Sequence, residues 1–452
     1  MQRSSTVAQG EKAASGFPMS ASAETGKQPS PVATRADGRG ARLGLYIRTV
    51  RSGQGAEKVI VNLAKGLARR GHVVDLLLEE PGGAVLDDLP PGVTVVMLEE
   101  RGLDRVAGAF ARLACLVRTL AAMMTDGRIR IPGLVPAFVR LAWGRQPPIH
   151  ALSRYLRRTQ PVSVTAFLNH PCLVLLLATP GKGTRLLVSV RNHVSTSSAH
   201  AETRWNREVP ILMAALYRRA DCVIANSEGV RADVERITGL APEKTTTIHN
   251  PYFLDRIAER AAEPSGHPWL DGPDGPPVLL AAGKLRQQKG FPVLIRAFAT
   301  VRRSRPVRLI ILGEGADRDA LTALAEDLGV ADDIDMPGHV DNPYAYFGRA
   351  AAFVLSSAWE GFPNVLVEAM ACGAPVVSTD CPSGPSEILA GGRYGPLVPV
   401  GDPAALADAI ETVVSAPPDR AQMRERTRAY DSETILDAYE ALLTDTETAV
   451  SR

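Results

Sequence analysis

Two carboxylates eight residues apart carry the strongest chemical signal in the chain. They are Glu360 and Glu368, in the stretch Ser356 to Cys381, SSAWEGFPNVLVEAMACGAPVVSTDC. It reads as the end of an apolar strand, a loop with one carboxylate, a helix with the other, a sharp stop and a second apolar strand. Pro363 disfavours helical geometry in the residue before it, so Asn364 is the expected N-cap and Glu368 falls in the first or second turn. Gly373 ends the helix as a left-handed cap, and Pro375 forbids its continuation. A helix N-terminus emerging from a strand end presents unpaired N–H groups and attracts anions. Carboxylates on either side would repel a phosphate, so both are expected to face hydroxyl groups. A nucleoside diphosphate sugar combines the two requirements, with a diphosphate set between two hydroxyl-bearing rings.

Cations suited to such a diphosphate occur upstream. Lys284 and Lys289 lie in GKLRQQKG, at the end of the strand PVLLAAG and just before the helix FPVLIRAFATVRRS, where two ammoniums can neutralise a diphosphate. Arg191, Asn192 and His193 directly follow the strand RLLVSV, on the side where parallel sheets bind ligands. Gly338 and His339 close the strand-and-turn IDMPGHV and are further binding candidates. Asn226 and Ser227 follow CVIA, and Ser227 reads equally well as a helix cap. Gly53 and Gly55 sit in TVRSGQGAEK, between the strand LGLYIR and a helix that gathers Val59, Ile60, Leu63 and Leu67 on one face. These glycines either admit a ligand close to the backbone or simply form a tight turn. Their spacing is not G-x-G-x-x-G, which weighs against a nicotinamide cofactor.

The elements that must position these residues alternate strand with helix in both halves of the chain, as in doubly wound α/β domains. At 452 residues the chain exceeds what one core holds, so two domains with a central cleft are expected. The expected layout is a disordered tail over 1–40, a Rossmann-like domain over 41–255, a linker over 256–276 rich in Pro and Gly, and a second Rossmann-like domain over 277–430; the family resemblance given below implies that the first takes the acceptor and the second the nucleotide sugar. A final amphipathic helix in 431–452 is expected to pack back on the first domain. Within the first domain, residues 101–158 stand apart. They carry Arg105, Arg112, Arg118, Arg128, Arg130, Arg140, Arg145, Arg154, Arg157 and Arg158 against Asp104 and Asp126, among many apolar residues. Such a basic amphipathic insertion suits an anionic membrane surface; a solvated helical face is the alternative.

A net charge of +2 with 22% charged residues gives no argument for nucleic acid. The five cysteines are scattered, with no CxxC pair and no metal-ligand cluster, and read as reduced core residues. No continuous apolar h-region or run of about 20 apolar residues is found, so a cytoplasmic location is expected, with peripheral contact on the inner face of the cell membrane.

Taken together, the motifs resemble the retaining glycosyltransferases of the GT-B fold, family 4. EGFPNVLVE, Glu360 to Glu368, is similar to that family's E-x7-E signature. GKLRQQKG resembles its GRLxxQKG loop and SGQGAEKVIVNLAKGLARRGH its N-terminal GGAERVxxxLAxxLxxRGH, with ANSEGV and HNP as further landmarks. DCPSGPSEIL is similar to the subgroup of bacterial N-acetylgalactosamine and related hexosamine transferases acting on lipid-linked or cell-surface glycans. The resemblance implies that Lys284 and Lys289 bind the diphosphate, Glu368 the ribose and Glu360 the donor sugar. It also implies that backbone N–H groups from Phe362 through Pro363 and Asn364 to Val365 hold phosphate and sugar, with Gly53 and Gly55 against the donor. Lys284 stands where the family usually has Arg, exchanging a bidentate fork for a point charge. The implied reaction is transfer of a hexose or N-acetylhexosamine from a nucleotide diphosphate sugar, UDP by preference, to a glycan or lipid-linked acceptor with retention, without cofactor or obligate metal. An epimerase or phosphorylase on the same frame, a non-catalytic relative and a nicotinamide dehydrogenase are the alternatives.

Overall fold

The computed structural model describes residues 40–51, 55–99, 148–181, 183–272 and 275–445, together with 106, 108–110, 113–114, 117–118, 121 and 133–141. The expected tail, Gly53, and Arg105, Arg112, Arg128, Arg130 and Arg145 of the basic segment lie outside the described residues.

Apolar runs with few charges, such as RLLVSV and CVIA, form strands buried on both faces, the pattern of an all-parallel sheet. The first seven are β1 (Arg42–Ile47), β2 (Val73–Leu78), β3 (Val93–Met97), β4 (Ser163–Phe167), β5 (Arg185–Val190), β6 (Cys222–Ala225) and β7 (Thr245–Thr247). They form one parallel sheet in the order β3-β2-β1-β4-β5-β6-β7. The next six are β8 (Val278–Ala282), β9 (Arg308–Leu312), β10 (Ile334–Gly338), β11 (Ala352–Leu355), β12 (Val376–Thr379) and β13 (Leu397–Val398), in the order β10-β9-β8-β11-β12-β13. Each sheet has helices packed on both faces, which makes two Rossmann-like lobes. Each order reverses once, between β1 and β4 and between β8 and β11, and ligands of such sheets bind beyond the strand ends at that reversal.

The stretch 256–276 is structured. Pro268 starts the short helix Pro268–Asp271, and the helix Leu254–Ala262 packs Ile257 into the second lobe's core. Its Pro and Gly content marks helix ends. In the basic segment, the C-terminal part belongs to the first lobe's core: the helix Ile149–Thr159 buries Ile149, Leu152, Tyr155 and Leu156. Arg140 pairs with Glu208, an acid distant in sequence that a local charge count does not see.

The chain crosses between the lobes twice, at Tyr252 and Asp431, and the crossings are bonded side by side: Tyr252 N–H donates to Tyr430 O (3.2 Å) and Ser432 N–H to Tyr252 O (2.8 Å). The returning helix Ser432–Thr444 packs on the first lobe, placing Leu436, Tyr439 and Leu443 among Leu43, Ile60 and Leu63. Arg70, at the end of the helix Ala56–Arg69, holds Glu433, Asp437 and Glu440 at 2.6–2.7 Å. Replacing the fully buried Tyr439 by Ala should lower stability by about 3–5 kcal/mol in urea unfolding, the usual cost of removing a large core ring.

Candidate active site

The two loops that leave the second lobe's switch point, after β8 and after β11, are laced together. Ala358 N–H donates to Gln288 O (2.8 Å), Gln288 Nε2 to Trp359 O (2.7 Å) and Ser356 Oγ to Lys289 O (2.8 Å). The turn Gln287–Lys289 ends at Gly290, where φ is 63° and an added Cβ would lie 2.1 Å from Ser356 O, so only glycine fits. Lys289 Nζ is thereby carried to Glu360 Oε1 at 2.6 Å, and Ser357 Oγ donates to the same oxygen at 2.7 Å. Lys284 lies one strand end away, exposed, and has no ion-pair partner among the described residues.

Eight residues on, Glu368 is buried in the helix Asn364–Ala371. Its Oε1 takes the Lys58 ammonium at 2.5 Å and lies 3.4 Å from the Tyr344 hydroxyl, to which Lys58 also donates at 2.5 Å. Lys58 belongs to the first turn of the helix Ala56–Arg69, on the opposite lobe. Burial pulls its ammonium toward neutrality, but Glu368 and Tyr344 outweigh that and hold its pKa above the ordinary lysine value. Each carboxylate therefore faces one ammonium and one hydroxyl of the protein. The expectation that both face hydroxyl groups does not place these lysines beside them.

Asn364 is the first helical residue, with Pro363 in the cap position, so its side chain is not the cap that sequence reading suggests. Its Oδ1 instead accepts from Tyr252 O–H (2.7 Å) and from Asn250 Nδ2, tying the helix start to the crossing segment. The first N–H groups of this helix, at Asn364 and Val365, have no partner within it. Phe362 is buried against His249 and Tyr430.

The first lobe meets this loop backbone to backbone. His193 N–H donates to Glu360 O (3.1 Å), and Ser227 Oγ donates to Gly361 O (2.8 Å) while capping the helix Glu228–Thr238. A Cβ on Gly361 would lie 2.3 Å from Arg191 O and 2.8 Å from Asn192 Cα, so glycine is required for the lobes to touch. The His193 ring caps the helix Val194–Ala199, with Nδ1 toward Thr196. Burial lowers its pKa, Asp233 opposing and Arg236 assisting, so the ring stays neutral to below the ordinary histidine range. Arg191, expected to meet substrate, has its guanidinium engaged by Asn250 Oδ1, Ser189 Oγ (3.2 Å) and Tyr439 O–H (3.2 Å); it brackets the crossing segment to the C-terminal helix. Gly55 precedes the helix Ala56–Arg69. Gly338 closes the edge strand β10, two strands from β8, and His339 is exposed beyond it.

Two features escape a reading of the sequence. Lys58 lies inside GQGAEK, three residues after Gly55, at the basic position of the N-terminal motif GGAERV, and that position is its signal in the sequence. The other is a buried cluster at the first lobe's switch point: Tyr46 O–H donates to Glu79 Oε1 (2.5 Å), and His170 Nε2 lies 3.3 Å from Glu79 Oε2. Burial works to raise the Glu79 pKa, but His170 and Tyr46 overcome it and keep the carboxyl below its ordinary value. His170 follows β4 as directly as His193 follows β5, in LNHP.

Two Rossmann-like lobes facing across strand-end loops define the GT-B class of glycosyltransferases. Residues 53–256 match Glycosyltransferase Family 4 and residues 270–430 match the glycosyl transferases group 1. The chain belongs to this family of glycosyltransferases. The N-acetylgalactosamine-N,N'-diacetylbacillosaminyl-diphospho-undecaprenol 4-alpha-N-acetylgalactosaminyltransferase of Campylobacter jejuni is 31% identical over 285 residues, 61% of this chain and 75% of that protein. The lipopolysaccharide core biosynthesis glycosyltransferase LpsE of Rhizobium meliloti is 34% identical over 50% of this chain and 65% of its own. Among solved structures, Anabaena HepE in complex with UDP superposes with a TM-score of 0.65 at 20% identity, over 89% of this chain and 99% of its own.

Gly361→Ala should drive the loop off Arg191 and break the His193–Glu360 bond. Amide exchange at His193 should quicken by about tenfold, as expected for loss of one hydrogen bond.

Proposed function

We propose that this glycosyltransferase moves a hexose or N-acetylhexosamine from a nucleoside diphosphate sugar to a glycan or lipid-linked acceptor with retention at the anomeric carbon. The observation that carries the reading is the Lys289–Glu360 pair at the second lobe's switch point, beside the helix N-terminus at Asn364 and the exposed Lys284. Lys289, Lys284 and the helix N–H groups form a cationic cradle for the diphosphate, and the charge that develops on the leaving nucleotide falls against them. Glu360 accepts hydroxyls of the transferred sugar and Glu368 those of the ribose. The acceptor enters from the first lobe, past the strand ends that carry His170 and Glu79. Retention results when the leaving diphosphate takes the acceptor's proton on the face it departs from. No carboxylate is assigned as nucleophile, unlike the double displacement of retaining glycosidases. The C. jejuni relative, named for a lipid-diphosphate acceptor, and the UDP bound by HepE support the two substrate classes.

With a panel of UDP- and GDP-sugars and mass spectrometry of products, the wild type should consume one donor. Glu360→Gln and Lys289→Ala should each reduce kcat/KM by about 100-fold or more, the scale of removing one transition-state contact. Unchanged turnover in a folded variant overturns the assignment.

An anionic membrane surface is the second partner of this reading. Val106, Phe110, Leu113 and Val117 recur at intervals of four, three and four residues in described helical positions and are all exposed, with Phe110 at 69%. Arg118 is exposed on the same stretch, within a segment whose sequence is rich in arginine. An apolar helical stripe with basic neighbours fits the interface of acidic lipids. Phe110→Asp with Leu113→Asp should weaken sedimentation with phosphatidylglycerol vesicles by about tenfold or more, since each buried side chain contributes about 1.5–3 kcal/mol. Equal binding by wild type and variant overturns membrane contact.

A further inference from the structure

Lys58 has no part in the donor reading above, yet it is the first lobe's direct hold on one of the two carboxylates that reading depends on. Its ammonium reaches Glu368 and Tyr344, both at 2.5 Å, and lies 5.1 Å from the centre of the Tyr344 ring. Arg260 stacks on that ring at 5.4 Å, so a second cation fixes Tyr344 in place. Both contacts to Glu368 fall on Oε1, and no described residue hydrogen-bonds Oε2. The carboxylate is thus oriented by one oxygen while the other is presented. The loop before its helix is already shared between lobes, through His193 to Glu360 O and Ser227 to Gly361 O. Those contacts pin backbone; among the described residues of the first lobe, Lys58 alone pins one of these two carboxylates.

We infer that Lys58 is a positioning residue of the donor site, contributed by the opposite lobe, which holds Glu368 by Oε1 and leaves Oε2 toward the ribose hydroxyls of a nucleoside diphosphate. The inference rests on the donor reading. Its consequence is linkage: the pair forms only with the lobes together, so a ribose that needs Glu368 in this orientation favours the closed arrangement, and closure favours the ribose. A ligand with a diphosphate and no ribose has no such dependence, because Lys289, Lys284 and the helix N-terminus all lie on the second lobe.

That difference supplies the test. UDP, GDP and inorganic pyrophosphate are titrated calorimetrically into the full chain as wild type, Lys58→Met, Lys58→Arg and Glu368→Gln, with the radius of gyration measured by X-ray scattering with and without nucleotide. Lys58→Met should weaken the nucleoside diphosphate by about tenfold, the scale of one charge-assisted hydrogen bond. It should leave pyrophosphate affinity unchanged and abolish nucleotide-induced compaction, and Lys58→Arg should restore most of the affinity. Equal loss for nucleotide and pyrophosphate would mean that Lys58 meets the phosphates directly, and overturns the inference. So does a Lys58→Met protein that binds nucleotide as wild type does while Glu368→Gln does not, which leaves the donor reading standing. Failure of the wild type to bind either nucleotide overturns both.

Discussion

The neutralisation of two buried carboxylates is the constraint around which this molecule is arranged. Glu360 and Glu368 are each more than nine-tenths buried, and an ionised carboxylate cannot remain so without a cation and hydrogen-bond donors. The protein meets the requirement twice, in different ways. Glu360 is served from within its own lobe, by Lys289 and Ser357. Glu368 is served across the cleft by Lys58, with Tyr344 as the local hydroxyl. One carboxylate is therefore a property of the second lobe, and the other a property of both lobes together.

Sheet order explains why these residues meet at all. Lys289 and Glu360 are 71 positions apart, and their strands are neighbours only because β8 and β11 flank the reversal in strand order. The reversal in the first lobe, between β1 and β4, gathers Tyr46, Glu79 and His170 in the same manner. Two doubly wound sheets with their reversals turned toward each other give one cleft with a different chemistry on each wall. The crossings at Tyr252 and Asp431, bonded to each other, are where relative motion of the walls has to be absorbed.

Local rules make the second lobe legible. The strand, loop and helix around Glu360, the left-handed stop at Gly373 with φ 82°, and the turn before Gly290 all derive from Pro, Gly and apolar periodicity within a dozen residues. Partners that depend on tertiary placement are not legible. Lys58 and Glu368 are separated by 310 positions, and nothing in GQGAEK announces a carboxylate opposite. The same holds for Arg140, which a local charge count leaves uncompensated and the fold pairs with Glu208, and for Arg191, whose strand-end position suggests a ligand contact while the fold turns it into a bracket for Asn250 and Tyr439. His193 and His170 show the limit clearly. Both come directly after strands, and only the strand order tells which one lies at the reversal.

The division of labour between the walls also accounts for which parts of the function the fold determines. On the proposed reading the second lobe meets groups that every nucleoside diphosphate sugar shares, a diphosphate and a set of hydroxyls, and its residue types suit that chemistry. On the same reading the first lobe faces the acceptor. It combines a buried Glu–His–Tyr cluster at its strand ends with an exposed apolar stripe from Val106 to Val117, features of separate kinds that no single ligand fragment requires. That reading puts selectivity for one acceptor in the first lobe's loops, and the contacts made only with the walls joined on the side of the donor. Lys58 lies at the junction of the two: it is anchored in the first lobe and bonded to the second lobe's Glu368, so a movement of either wall is felt at that carboxylate.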